Sequence, residues 1–422
     1  MSTVSTTEET EAYFKLEQKT WTFREKYPIA YEVATCNTKA TDMNDQTNTV
    51  PVLLLNGFGV GTFHQHRLMK QLLLQSCDTS RAKSQYKIYG LDYLGQGKSW
   101  PLKCNDGMSE DEYNLGYSAD MWIEQLTNFI QQVIIPSTSH KVHIVGNSVG
   151  GYLGTILSYR HPHLVSSLTL LNATPVWGLN LPSWDGKLPA PAFPKRIGQI
   201  LFDTIRDINV IDKYLDVAYV NRQAFDGSFD DSFDGWGTKH KNLGIPLNQK
   251  IRACTEGNGG HAAFASILWS PPASSTDPDW ERKSSSPTIG FYDALRHLPI
   301  DVLLLFGTND EWCTPAVAKR MHTTLHARRT TVTLDGSAPS VRYITIDNVG
   351  HCPNHEAPTA VATVLLSWLE ASSSQSRSEI PLVSSLDARV KEPWGEVLLR
   401  EVTIEESKSL GLVDRMISSM VG

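Results

Sequence analysis

From Trp21 to Ser372, short apolar runs alternate with longer stretches in which apolar residues recur every three or four positions. "VPVLLLNG", "YKIYGLDY", "KVHIVGN", "SSLTLLNA", "DVLLLFG" and "VRYITIDNV" are too short and too uniformly apolar for helices, and they predict strands buried on both faces. Between them, "FHQHRLMKQLLLQ", "YSADMWIEQLTNFIQQVII", the stretch from Val149 to Tyr159, "TPAVAKRMHTTL" and "PTAVATVLLSWLEAS" carry helical periodicity. "WTFREKYPIAYEVA" predicts a leading pair of strands. Strands that alternate with helices imply crossover units, so the expected architecture is α/β, a mostly parallel sheet covered by helices on both faces.

The alternation fails between Thr174 and about Leu298, where Pro, Gly, Trp and Phe accumulate around helical pieces such as "KRIGQILFDTIRDINVIDKYL" and "HAAFASILW". An insertion of that length between core strands predicts a cap over the carboxyl edge of the sheet, where ligands bind in open α/β folds. Within it "FDGSFDDSFDGW" repeats Phe-Asp every four residues without the spacing of an EF-hand loop, and reads as a solvated acidic loop or short surface helix. The expected boundaries are a flexible leader over 1–20, a main domain over 21–372 with its cap at about 174–298, and a tail over 373–422. In the tail "PWGEVLLREVTI" suggests a strand, and Thr403 with Glu406 forms a capping-box pattern ahead of a helix that presents Leu410, Val413, Ile417 and Met420 on one face. That helix is expected to dock on the core.

Composition narrows the class. Hydrophobic residues make up 41% and charged residues 20% of the 422, ordinary for a globular protein with a full-sized core. The net charge of -7 argues against a nucleic-acid partner. No apolar run approaches the roughly 20 residues of a membrane-spanning helix, and the chain reads as soluble. Six cysteines without a Cys-x-x-Cys pair point to neither a zinc knuckle nor a dithiol centre, and to a reducing compartment. "MSTVSTTEETEAYF" has no signal-peptide core, and its glutamates sit badly with a transit peptide.

The chemistry gathers at Gly146-Asn147-Ser148-Val149-Gly150. Gly-x-Ser-x-Gly is common by itself, but here a strand feeds in and a helix starts at once, the context of a nucleophile elbow. So sharp a turn needs small neighbours, hence Gly146, Gly150 and Gly151. A serine hydroxyl needs a base, and the base an orienting acid. Among thirteen histidines, His351 directly follows a strand and is the best-placed base, with His355 as the fallback; His143 lies within a strand and His161 ends a helix. Asp310 follows "VLLLFGTN" at the carboxyl end of its strand, whereas Asp301 opens that strand at the wrong edge; spacing alone leaves the adjacent Glu311 open. The oxyanion donors are expected from the amides of Val149 and of Phe58, in the glycine-rich "NGFGVG". "LDYLGQGKS" adds a loop at the same edge, with a shaping role. Cys313 and Cys352 flank the acid and base but make a poor metal set. No cofactor motif is present, and neither cofactor nor metal is expected.

"LNGFGVGTFH", "LDYLGQGKSWP", "IVGNSVGGYLG", "LLNATPVWG", "FGTNDEW" and "VGHCPNHEAP" together resemble the plant and algal pheophytinase branch of the α/β-hydrolases, as does "HAAFASILWSP" in the cap. The resemblance spans roughly Trp21 to Glu370. It implies the α/β-hydrolase fold with an inserted cap, a Ser148–Asp310–His351 triad, removal of phytol from magnesium-free chlorophyll, and a plastid location. Asn56 departs from the histidine of many α/β-hydrolases and from the proline usual in that branch, and His355-Glu356 from its Asp-Glu. A phytylated tetrapyrrole needs a deep apolar site, for which the cap offers Trp177, Trp184, Phe193, Phe202, Phe264, Leu268 and Trp269; Trp177, Phe264, Leu268 and Trp269 are the substrate-binding candidates. The rivals are a lipid or acyl-ester hydrolase with the same triad, and a ligand receptor on this fold with slow turnover. Peripheral membrane contact is compatible with either ester substrate.

Overall fold

The computed structural model describes residues 13–37, 49–77, 85–100, 117–177, 200, 203–230, 232–234, 244–256, 263, 267, 270–278, 287–328, 339–372 and 387–409. Ten strands form one sheet in the order β1-β2-β4-β3-β5-β6-β7-β8-β10-β9. They are β1 (Tyr13–Phe23), β2 (Tyr27–Asn37), β3 (Thr49–Leu55), β4 (Gln85–Leu91), β5 (Val142–Asn147), β6 (Val165–Leu171), β7 (Asp301–Gly307), β8 (Val341–Asp347), β9 (Asp387–Glu392) and β10 (Gly395–Glu401). β3 to β8 pair in parallel, as the uniformly apolar runs require. An antiparallel hairpin closes each edge, β1–β2 against β4 and β9–β10 against β8. Every residue of β5 and of β7 is buried, so these two strands sit at the centre of the molecule.

Helices cover both faces. On one, α1 (His66–Ser76) packs against α10 (Pro358–Ser372), with Leu68, Leu72, Val361, Leu365 and Trp368 in one core cluster. On the other lie α2 (Ala119–Phe129), continued by a π turn and the short α3 (Ile135–Thr138), then α4 (Val149–Arg160), α7 (Phe291–Arg296) and α8 (Pro315–His326). Ser118 caps α2 by accepting the Met121 amide at 3.2 Å. α4 is apolar nearly all round and buried through Ser158, and His161 ends it one residue before Pro162. Among the described residues, no helix is long and apolar enough to cross a membrane.

Several expectations shift. β1 opens at Tyr13, so part of the expected leader forms an edge strand. The tail adds two strands rather than one, and its capping box at Thr403 and Glu406 starts α11 (Ile404–Lys408), which packs on α8 through Ser407 and His322. Leu410, Val413, Ile417 and Met420 lie outside the described residues. Cys36 in β2 and Cys77 at the end of α1 are joined by a disulfide, a pairing that no Cys-x-x-Cys spacing announces; only the sheet order brings the two together. Cys254, Cys313 and Cys352 are free.

The Phe-Asp repeat is not simply solvated. Phe225, Phe229 and Phe233 are all buried, while Asp226 and Asp230 fold back to accept the Ser228 and Ser232 amides. A four-residue repeat of such turns points each phenylalanine inward. Phe225 packs on Tyr219, and Phe229 on Trp394. In the cap, α5 (Ile208–Ala218) and α6 (Leu247–Cys254) pack on each other and share a small core of Ile211, Leu215, Ala218, Tyr219, Phe225 and Leu247.

Candidate active site

Between β5 and α4 the chain turns within a single residue. Ser148 has φ 53° and ψ -119°, a backbone geometry that L residues avoid, at a strain of about 1–3 kcal/mol. Neighbouring bonds hold it there. The Ser148 amide donates to Leu171 O at 3.1 Å, and its carbonyl accepts the Gly151 and Thr174 amides at 3.0 and 3.2 Å. The three glycines are sterically required: a Cβ at Gly146 would stand 2.5 Å from Gly150 O, one at Gly150 2.6 Å from Leu55 O, and one at Gly151 2.4 Å from Ala173 Cβ.

β7 and β8 deliver the other two groups to the same edge. His351 Nδ1 donates to Asp310 Oδ2 at 2.7 Å, and both side chains are buried. Asp310 Oδ1 accepts the Trp312 amide at 2.8 Å, and Oδ2 also accepts Asn172 Nδ2 at 2.8 Å. Burial alone would raise the Asp310 carboxyl, but the His351 bond and charge, with the Cys313 amide and Asn172, outweigh it and hold the acid below its ordinary value. The acid is thus built to stay ionised beside a histidine. Glu311 is exposed, and Asp301 sits at the far end of β7 accepting the Ser340 amide, so neither reaches His351. His355 is turned away, stacked on His64 and hydrogen-bonded to Tyr219 Oη at 3.1 Å. His143 bonds Ser167, and His161 pairs with Asp277.

Ser148 and His351 open into one cavity of about 480 Å³. Its floor is Gly57, Phe58, Gly59 and Val60; its roof is Ile211, Tyr214, Leu215 and Ala218 of α5 with Leu247 and Ile251 of α6; Trp312 stands at one side, edge-on to the His351 ring at 4.8 Å. Gly57 passes directly over the serine, and a Cβ there would lie 3.5 Å from Ser148 Cβ. Phe58 is thereby brought beside Ser148, and Val149 starts α4 at the positive end of the helix dipole.

A sequence profile described as "Alpha/beta hydrolase family" matches residues 52–364. The chain belongs to the α/β-hydrolase family. "Pheophytinase, chloroplastic" from Arabidopsis thaliana is 26% identical over 416 residues, covering 89% of this chain and 70% of that protein. "Proline iminopeptidase" from Lactobacillus delbrueckii subsp. bulgaricus is 25% identical over 331 residues, covering 78% of this chain and 92% of that one. Among solved structures, a serine hydrolase involved in carbazole degradation superposes with a TM-score of 0.50 at 17% identity, over 84% of this chain and 99% of the other. A thermophilic esterase from Thermogutta terrifontis gives 0.50 at 16%, over 85% and 100%. These two share the fold.

The pocket of this hydrolase differs from the one read in sequence. Trp177 does not line it: the indole packs against Trp122 and stacks on Tyr152, and its N–H donates to Ser270 Oγ at 2.9 Å, which satisfies it in the core. Phe264, Leu268 and Trp269, with Trp184, Phe193 and Phe202, lie outside the described residues. The cavity roof comes instead from "INVIDKYLDVA", whose Ile211, Leu215 and Ala218 recur at four and three residues, a signal in the periodicity that a search for aromatics passes over. Asn172 was also missed. It follows β6 with φ 40°, donates to Asp310, and accepts the Gly307 amide at 2.8 Å. The "LDYLGQGKS" loop shapes the floor: Gln96 Oε1 accepts the Gly59 amide at 2.9 Å, and Asp92 accepts the Thr62 and Lys98 amides.

Asp310, Cys313 and His351 place ligand atoms within 4.8 Å of one another, a grouping that replaces the Cys313–Cys352 pairing weighed from sequence. Its chemistry suits a hydrogen-bonded pair better than a metal. Asp310 and His351 already share a 2.7 Å bond, and burial holds the Cys313 thiol well above its ordinary value, against the thiolate a metal needs.

Proposed function

We propose that this hydrolase is a serine carboxyl-esterase that removes phytol from pheophytin or a related chlorophyll pigment through an acyl-enzyme. The observation that carries the proposal is the strained Ser148 opening into the same apolar cavity as the Asp310-bound His351. Ser148 Oγ attacks the ester carbonyl while His351 takes its proton. The Asp310 carboxylate stabilises the imidazolium, and the amides of Phe58 and Val149 receive the oxyanion. His351 then returns the proton to the departing alcohol, and a water molecule, deprotonated by the same imidazole, releases the acid.

Two points support the substrate. A relative matched over 89% of this chain bears the name pheophytinase, and the described roof and side wall are Ile, Leu, Tyr, Ala and Trp. A peptide substrate like that of the iminopeptidase relative fits less well. The described lining holds no carboxylate for an ammonium group, and its one guanidinium, Arg206, would repel it. Plastid location rests on the same relative. Peripheral membrane contact is supported by Tyr214 and Trp312, which line the cavity yet remain 48% and 46% exposed.

The test is detergent-dispersed pheophytin a and chlorophyll a, each incubated with the wild type and with Ser148→Ala, with phytol and free acid followed by chromatography. Dephytylation by the wild type alone supports the proposal, and the preferred pigment names the substrate. Cleavage of a long-chain nitrophenyl ester without either pigment moves the assignment to an acyl-ester hydrolase. Turnover far below about one per second on every ester, with a ligand-dependent shift in Tm, moves it to a receptor.

A further inference from the structure

α9 (Pro353–Glu356) is a single turn that follows the base, and its last residue, Glu356, is 1% exposed. Glu356 Oε2 accepts the amide of Gly350, the residue before His351, at 2.8 Å. Its Oε1 accepts the amide of Asn221 at 2.6 Å, and the Val220 amide also bonds the carboxylate. Val220 and Asn221 lie two and three residues beyond α5, the helix that roofs the cavity. The two partners are pressed together as well. His351 N donates to Ala218 O at 2.7 Å, and a Cβ at Gly350 would stand 2.1 Å from that oxygen. Trp394 Nε1 also donates to the Glu356 carbonyl at 3.0 Å.

We infer that Glu356 is a positioning residue that clips the cap helix to the loop carrying the base, so that roof and base are set as one unit. Three amide donors converge on one side chain, and only a carboxylate offers acceptors alone on both of its oxygens. A glutamine would keep one oxygen and turn an NH₂ towards the other set of donors. Burial pushes the Glu356 carboxyl up to about 7, against the three amides and the Arg67 charge. That is the penalty of holding an anion in the interior for its acceptor geometry.

The test uses Glu356→Gln in the full chain. Hydrogen exchange over 208–221 and 349–352 is expected to accelerate about tenfold in both segments, the worth of one buried hydrogen bond, while β5 and β7 stay unchanged. The kcat/KM for a long-chain nitrophenyl ester, which needs the roof, is expected to fall about tenfold further than that for the acetate. Asn221→Pro deletes one of the two cap-side donors, at a half-buried position, and should still loosen 349–352; the double variant should be no worse than Glu356→Gln alone. Acceleration in a single segment, spread into β5 and β7, equal losses on both esters, or additive effects in the double variant would overturn the inference. It rests on the esterase reading only for its kinetic arm. A wild type inactive on both esters would sink that reading, while exchange would still decide the clip.

Discussion

Asn172→Ala separates support of the acid from contact with substrate, because Asn172 touches Asp310 but is not among the described residues lining the cavity. The substitution removes the 2.8 Å bond to the carboxylate, worth about 1.5–3 kcal/mol for a charged acceptor, and leaves the buried Gly307 amide unpaired at about 1–3 kcal/mol more. Alanine at φ 40° adds about 1 kcal/mol of strain that asparagine tolerates better. Stability should therefore fall by about 3.5–7 kcal/mol, read as a lower urea midpoint at unchanged slope. The Trp312 and Cys313 amides still hold Asp310, so the acid survives in a looser seat. On the proposed mechanism the Asp310 carboxylate stabilises an imidazolium in the transition state. Of the lost stabilisation, about 1.4–2.8 kcal/mol should appear in the barrier, a 10- to 100-fold drop in kcat with KM within about twofold. The assay is steady-state hydrolysis of a nitrophenyl ester, corrected for folded fraction. A kcat within threefold of wild type alongside the full loss of stability would refute the reasoning. The neighbouring amides would then suffice, and Asn172 would be structural alone.

Ser148→Ala should lower turnover by roughly 10⁴-fold or more while the far-UV spectrum and urea midpoint hold; residual turnover within tenfold of wild type would remove the serine from the mechanism. Gly151→Ala drives a Cβ to 2.4 Å from Ala173 Cβ, and overpacking of that kind should cost about 1–3 kcal/mol in urea unfolding and lower kcat as the elbow shifts. Glu392 is buried, caps the start of α10 through Thr359 and Ala360, and has its carboxyl raised from 4.5 to about 7, chiefly by burial. A raised acid keeps its proton in the folded state after the unfolded chain has lost it. Its contribution is therefore full below 4.5 and declines as pH rises through about 7. Glu392→Gln should flatten that decline in urea midpoints taken between pH 5 and 8, and an unchanged slope would count against it.

Sequence carried the strands well, and Ser148, Asp310 and His351 stand one, three and four residues beyond the carboxyl ends of β5, β7 and β8. Order along the chain then limits the choice. It carried less of what depends on dihedral angle or on distant contact. Asn172 works by standing at positive φ beside a residue 138 positions away, and Glu356 by collecting amides from two segments. Neither leaves a periodic mark. Trp177 misled because an aromatic residue near a cap suits a pocket and a core equally by composition; the Ser270 hydroxyl within reach of its indole decides the matter. Phe225, Phe229 and Phe233 misled in the opposite sense, since the acidic residues between them disguise an inward-facing row.

The whole cap leaves the sheet after β6 and returns to it before β7, and the two strands it interrupts are neighbours. Asn172 and Gly307 are bonded across that gap, so the exit and the re-entry of the insertion are laced together beneath it. A lineage can lengthen, shorten or exchange everything between those two points without moving the acid. Substrate preference can in this way drift on a fixed chemical base, and a chimera carrying a relative's segment between Thr174 and Leu298 would inherit new selectivity on an old engine.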